Sequence, residues 1–337
     1  MNLTLCFDMN GCPNRCKHCW IGHMKNKQMK DDDAEFVVDY FKPYFSNITF
    51  YSWLREPDFC QDYKARWLKD IALSPSKKPE RFELASFYLL VRDPKYIHFL
   101  KDVGVKKVQL TLFGMEEMTD KYVGRKGAFK EILSATEILI SNGISPRWQA
   151  FINEKNKHDL LNLLNLIDDL KIKERCPEFK FFIHEGSCEG ENEKLYDLKI
   201  EKGHVPELLL PYYNDYQNLK TEHELIERFR LKTDEYFIPS NQNGDITLYI
   251  SNTFDIYFNF TNMSEEWKIG NLKIDNKDEL IKRIKNEDIN ALNIARRTSL
   301  AKLSLKYGNP NSNKLFSEDD FKMYLLNKML RDENKNA

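Results

Sequence analysis

The stretch Cys12-Pro-Asn-Arg-Cys16-Lys-His-Cys19-Trp20 decides how the rest of the chain is read. It follows the apolar run Leu3–Phe7 and gathers three cysteines on one loop after a strand-like segment. Three thiolates so close together suit an iron–sulfur cube, whose fourth iron lacks a protein ligand and is open to a substrate or cofactor. Two other uses of cysteine fit less well. A tetrahedral zinc site needs a second ligand pair at C-x2-C or H-x3-H spacing, and none is visible. A disulfide framework needs pairs, whereas the chain has seven Cys and starts Met1-Asn-Leu-Thr-Leu, without a basic segment leading into an apolar one.

The length of 337 residues allows one large domain, or one domain with an appendage. Lys and Arg total 51 against 52 Asp and Glu, a balance that gives no support to a polyanion-binding scaffold and leaves room for a local basic patch. No apolar stretch approaches the roughly 20 residues of a membrane span. A reducing, cytoplasmic enzyme is expected, with neither nucleic acid nor membrane as partner.

Short apolar runs alternate with longer amphipathic stretches, the pattern of repeated β/α units. Strands are expected at Asn2–Asp8, Ile48–Ser52, Phe82–Ser86, Lys107–Leu112, Arg147–Ile152 and Lys180–His184. Helical patterns lie between them near Asp33–Tyr44, Asp62–Leu73, Pro94–Val103, Ala128–Asn142 and Lys157–Leu170. Such units favour a parallel sheet curling into a partial barrel, with the cysteine loop among the loops at the C-terminal strand ends.

The C-x3-C-x2-C spacing, with His18 before the last cysteine and Trp20 after it, resembles the signature of the radical S-adenosylmethionine (SAM) superfamily. The resemblance implies an α/β fold: a partial (β/α)6 barrel over residues 1–190 and a C-terminal α+β cap of the twitch type over 191–337. It also implies that Cys12, Cys16 and Cys19 ligate a [4Fe–4S] cluster whose open iron chelates the amino and carboxylate groups of SAM. Reductive C–S cleavage then yields a 5′-deoxyadenosyl radical. Ile48-Thr-Phe-Tyr-Ser-Trp-Leu-Arg-Glu56-Pro57 resembles the second-strand segment that in many members ends Gly-Gly-Glu-Pro and meets the SAM amino group; Leu54 and Arg55 stand in place of the glycines. Glu56 would accept from the ammonium. Thr111 matches a hydroxyl that contacts SAM from the fourth strand, and Gly124-Arg125-Lys-Gly127-Ala-Phe129 resembles a segment whose arginine pairs with the SAM carboxylate through its planar fork. Gln149, with Asn153 just beyond, is a further strand-end position for cofactor binding, alongside His18 and Trp20.

After residue 190 the alternation stops, and helices are expected at Asn218–Lys232, Lys277–Asn286, Asn290–Lys306 and Glu318–Arg331 around a strand pair at Asp245–Ser251 and Asp255–Phe260. That hairpin resembles the SPASM and twitch appendages, which carry cysteines for an auxiliary cluster. Here Asn259 stands at the key position and no cysteine follows Cys188, so a cap without a second cluster is expected. The polar stretch His184-Glu185-Gly-Ser-Cys188 should open at the barrel mouth, where the Cys188 thiol could give a hydrogen atom to a substrate radical. The function expected is hydrogen abstraction from an unactivated C–H bond of a small molecule or peptide, leading to epimerisation, dehydrogenation or rearrangement. Flavodoxin or ferredoxin would supply the electron. The alternative is a SAM-binding or sensing iron–sulfur protein without radical catalysis.

Overall fold

Alternating polar and apolar residues become strands wherever one face can be buried, and that rule places several of the strands of this chain. The computed structural model describes residues 2–19, 21–81, 83–188, 190–238, 245–258 and 263–335. Among them run β1 Asn2–Phe7, β2 Asn47–Tyr51, β3 Lys107–Leu112, β4 Ser145–Ile152, β5 Lys180–Glu185, β6 Lys220–Thr221, β7 Ile246–Ile250, β8 Asp255–Phe258, β9 Lys268–Asn271 and β10 Leu315–Phe316. Helices Asp31–Phe41, Tyr63–Ala72, Tyr96–Asp102, Ala128–Ser141 and Asp159–Asp169 lie within a few residues of the expected ones.

Two parallel arrays carry the site. β3, β4 and β5 form one, in register Thr111↔Gln149↔Phe182. β2-β1-β7-β8-β9 form the other, in which β1 runs parallel to both β2 and β7 while β7, β8 and β9 are antiparallel. Leu5 is thus flanked by Phe50 and Leu248, and the C-terminal hairpin extends the very sheet that carries the cysteine loop.

The expected third strand is a correction. Phe82 lies outside the described residues, and Glu83–Ser86 is not strand. Ser86 instead caps the helix Phe87–Arg92 by accepting from the Leu89 N–H at 3.3 Å, which bends the chain away after a single backbone bond, Gln109 N–H to Glu83 C=O at 2.7 Å. Among the described residues, the first 190 therefore hold five strands in two arrays. The helix expected over Asn290–Lys306 also splits, into Asn290–Ala295 and Leu300–Tyr307, because Ser299 caps the second piece and pairs in a bridge with Tyr236.

Each array has its own core. Leu3, Leu5, Phe7, Phe50, Leu248 and Trp267 pack with the C-terminal helices, and Trp267 donates to Asn327 Oδ1 at 3.1 Å. Val108, Leu110, Trp148 and Ile183 pack under the helices that flank β3–β5. In β3 and β4 the alternate residues Gln109, Thr111, Arg147 and Gln149 stay half-buried on the opposite face.

Candidate active site

The cysteine loop is shaped by backbone bonds to two other segments. Arg15 N–H donates to Val123 C=O at 3.0 Å and Lys17 N–H to Tyr122 C=O at 2.7 Å, laying the loop on the end of the helix Glu116–Val123. Gly124 ends that helix at φ +72°, and a Cβ there would meet the Arg15 carbonyl oxygen at 2.5 Å, so glycine permits both the turn and the approach. On the other side Asn26 clamps Cys12, accepting its N–H at 3.1 Å and donating to its C=O at 2.9 Å. Cys19 N–H closes a turn on Cys16 C=O at 3.1 Å, and Asn14 N–H reaches Cys12 Sγ at 3.4 Å. Cys12, Cys16 and Cys19 are all half-buried and free of disulfides. Burial, joined by the charge of Glu56, raises the Cys12 thiol strongly; burial and Cys19 push Cys16 up to about 12. These thiols need a cation before they ionise at neutral pH.

Arg55 explains why the glycines of the related segment are absent. Its guanidinium is buried and forks onto Asp8 at 2.8 and 3.3 Å, while its third nitrogen donates to Met24 C=O at 2.8 Å. The end of β2 is thereby tied to the end of β1 and to the loop after the cysteines. Glu56 follows, half-buried, with its Oε1 atom buried and left without a hydrogen-bond partner. Burial pushes its carboxyl up to about 7, opposed by a hydrogen bond with Ser86 and by the charge of Arg125. Arg125 donates from Nε to Asn14 Oδ1 at 2.9 Å, pairs with Glu131 at 2.6 Å, and leaves Nη2 buried without a partner. An acid and a base, each with one orphaned atom, thus stand within electrostatic reach of one another and of Cys16.

His18 lies between Phe113 and Phe151, ring centroids 4.6 and 5.0 Å away, with Nδ1 buried and unpartnered. Burial lowers it to about 4, so the imidazole is neutral. It lines a small cleft with Tyr122, Asn153, Gly186 and Lys199. The floor is fixed from the C-terminal side. Asn192 donates to His18 C=O at 2.7 Å, and buried Lys199 binds both Gly186 C=O and Asp320 Oδ2 at 2.7 Å. Asp320 belongs to the helix Glu318–Lys335, so that helix holds the loop after β5 in place.

Thr111 and Gln149 are opposite one another on the half-buried face of the β3–β5 array, and Gln149 Oε1 accepts from Gln109 at 2.5 Å. Asn153 spends its Oδ1 on the Lys155 and Asn156 amides and its Nδ2 on Tyr122 Oη, a turn-forming role. Cys188 departs from expectation. It is 1% exposed inside the larger core, with its N–H on Asp320 Oδ1 at 2.8 Å and its thiol raised to about 12 by burial. A hydrogen donor must reach the substrate radical, and Cys188 as placed reaches core side chains. Trp20 and Asn259 lie outside the described residues. Asn14, Asn26, Ser86 and the Asp8–Arg55 pair were not legible beforehand, since single amides and hydroxyls carry no pattern; the Leu54-Arg55 replacement was the one available hint.

Among the described residues no three His, Cys, Asp or Glu side chains converge to hold one metal ion. A lone zinc needs such convergence, with every sulfur about 2.3 Å from one centre. An iron–sulfur cube asks less, because each cysteine takes a different iron. Three half-buried thiols on one loop, one receiving an amide N–H, fit that demand. The orphaned Glu56 Oε1 and Arg125 Nη2 fit a ligand carrying both an ammonium and a carboxylate, as SAM does.

Comparisons with known proteins agree in kind. The chain is 25% identical over 168 residues to Fe-coproporphyrin III synthase of Methanosarcina barkeri (strain Fusaro / DSM 804), a match covering 49% of this chain and 40% of that protein. The chain thus spans less than half the length of this relative. Native anSMEcpe solved with bound AdoMet and Kp18Cys peptide is 13% identical, with a TM-score of 0.50 over 100% of both chains, a likeness of fold alone. Streptococcus suis SuiB bound to precursor peptide SuiA is 13% identical, at a TM-score of 0.47 over 86% of this chain and 67% of that one. Residues 7–167, which include the cysteine loop, Glu56 and Arg125, match the Radical SAM superfamily, so that stretch of the chain is similar to a radical SAM domain.

Proposed function

We propose that the chain binds a [4Fe–4S] cluster through Cys12, Cys16 and Cys19, binds SAM beside it, and removes a hydrogen atom from a C–H bond of a small-molecule or peptide substrate. The observation that carries this reading is that Glu56 and Arg125, within electrostatic reach of one another and of the cysteine loop, each keep one buried atom without a partner. Glu56 takes the ammonium of the methionine moiety, and Arg125 Nη2 takes its carboxylate. Asn14 and Glu131 hold the guanidinium plane so that the free nitrogen stays aimed. The His18–Phe113–Phe151 slot supplies flat apolar surface and one unpartnered nitrogen for the adenine, with Trp20 two residues on in the sequence; Thr111 and Gln149 supply hydroxyl and amide contacts from the strand face. Bound together, a reduced cluster and SAM supply a carbon-centred radical as the hydrogen-abstracting agent. The chain's own work is to orient both ligands and keep water out.

In this reading residues 1–190 form a partial barrel and 191–337 a twitch-like cap without an auxiliary cluster. The pairing of β7 with β1 and the Lys199–Asp320 bond seat the cap on the barrel. The Asp8–Arg55 fork gives the missing glycines a structural explanation, which supports the catalytic reading over a binding protein without catalysis. The test is anaerobic reconstitution, reduction with dithionite in the presence of SAM, and assay for 5′-deoxyadenosine and methionine. Absence of both from a protein with its cluster assembled would refute the reading.

A further inference from the structure

The loop after β1 and the start of the helix Tyr63–Ala72 enclose a cavity of about 370 Å³ that shares no residue with the His18 cleft. Asn10, Gln28, Cys60, Gln61, Asp62 and Arg66 line it. Two contacts bring these segments together: Met29 N–H donates to Met9 C=O at 2.9 Å, which draws Gln28 toward Asn10, and Arg66 Nη1 lies 3.4 Å from Met9 Sδ. The cavity also adjoins the cysteine loop. Asn10 precedes Cys12 by two residues, so their Cα atoms are no more than about 7.6 Å apart, at about 3.8 Å per trans peptide. Its walls carry little unspent charge. Arg66 is paired with Asp31 at 2.8 Å, Asp62 caps its helix by accepting the Ala65 N–H at 3.0 Å, and burial keeps the Cys60 thiol protonated, pushed up to about 12. What remains is three carboxamides. Gln28 and Gln61 are exposed and hold no side-chain hydrogen bond among the described residues. Asn10 is only 4% exposed, and its Oδ1 is buried without a partner. A buried acceptor left unpaired is unfavourable, so a ligand that brings an N–H donor to it recovers the missing bond.

We propose that this cavity anchors the substrate through an uncharged amide, a peptide group or a primary carboxamide, held by Asn10, Gln28 and Gln61. The proposal rests on the function read above and names the chemical class of its substrate. A carboxamide side chain offers an acceptor and a donor side by side, and a second amide answers both at once. A phosphate or carboxylate would meet the Asp62 carboxylate, and a free amine would meet Arg66, so the lining selects against either charge. The volume falls within the roughly 300–1,000 Å³ of small-molecule sites. An amide held beside the cluster loop fixes the substrate without touching the reacting carbon, and binding energy from such a remote group goes into orienting the C–H bond.

The test titrates the reconstituted full chain calorimetrically with acetyl-trialanine amide, an uncharged peptide, and with glucose and inorganic phosphate as comparison probes. Two variants are used: Asn10→Leu, which keeps the volume and removes the amide, and Gln28→Ala/Gln61→Ala, at exposed positions. The expected result is peptide binding to the wild type, weakened about fivefold or more in each variant by the loss of neutral hydrogen bonds, with SAM affinity equal in all three proteins. Saturating peptide should also change the wild-type rate of 5′-deoxyadenosine formation. Equal peptide affinity in the wild type and both variants overturns the proposal, as does absence of peptide binding or tighter binding of glucose or phosphate. A peptide that binds yet leaves the 5′-deoxyadenosine rate untouched at saturation overturns the substrate role. If Asn10→Leu misfolds, seen as lost SAM affinity, the double variant decides the matter. If the wild type cleaves no SAM, the functional reading fails, while peptide binding lost in the double variant still establishes the amide site.

Discussion

Replacing Glu56 by Gln should stabilise the protein above neutral pH while weakening its hold on SAM. The carboxyl has a buried, unpartnered Oε1 and is held near 7 instead of 4.5. Keeping it ionised in place therefore costs about 3 kcal/mol, at roughly 1.4 kcal/mol for each tenfold change. The folded state binds more protons than the unfolded one between pH 4.5 and about 7, so stability from this group is complete at low pH and is lost as pH rises through 7. Glu56→Gln removes that loss, and for a chain of this size about 3 kcal/mol corresponds to a gain of roughly 4 °C in melting temperature at pH 8. At pH below 4.5 the two proteins should melt alike or the variant slightly earlier. SAM affinity should move the other way, falling about tenfold or more through loss of a charge-assisted bond. In the wild type it should also weaken as pH drops below 7, because the ammonium then meets a protonated acid. Scanning calorimetry at several pH values and anaerobic titration with SAM measure both effects. A Glu56→Gln protein with the wild-type melting temperature at pH 8 and the wild-type SAM affinity at every pH would refute the reasoning.

Replacing Cys12, Cys16 and Cys19 together with Ala should abolish cluster absorbance and SAM cleavage; retention of either at wild-type level contradicts the ligand assignment. Iron and sulfide analysis of the reconstituted chain should match one cube per chain, and a second cube surviving the triple replacement would overturn the cluster-free cap. Arg125→Lys should lose roughly tenfold or more in SAM affinity, since an ammonium cannot hold Asn14 and Glu131 and still present a second nitrogen as the fork does; calorimetric titration decides it. Arg55→Met should cost about 3 to 5 kcal/mol in denaturant unfolding by leaving Asp8 buried and unpaired, and Asp8→Asn in the same chain should restore part of it.

The sequence by itself carried the resemblance to the superfamily and most of the local structure. A C-x3-C-x2-C loop after an apolar strand is specific because thiol spacing within one loop is set by local backbone geometry; β1, β3 and β4 were legible because each buries one face in alternation, and β2 and β5 as short continuous apolar runs. What only the tertiary structure decided lies where residues far apart in sequence meet. Ser86 could be strand or cap, and its bond to Leu89 N–H settled for cap. The C-terminal hairpin read as a separate appendage, yet β7 lies alongside β1 in parallel register, since backbone N–H and C=O groups on an open strand edge take whichever partner the fold brings. Arg55 looked like a break in a glycine motif until Asp8, 47 residues away, supplied its buried partner. Cys188 looked like a mouth residue until the helix Glu318–Lys335 covered it, because burial is a property of what packs against a side chain and is written nowhere in its neighbours.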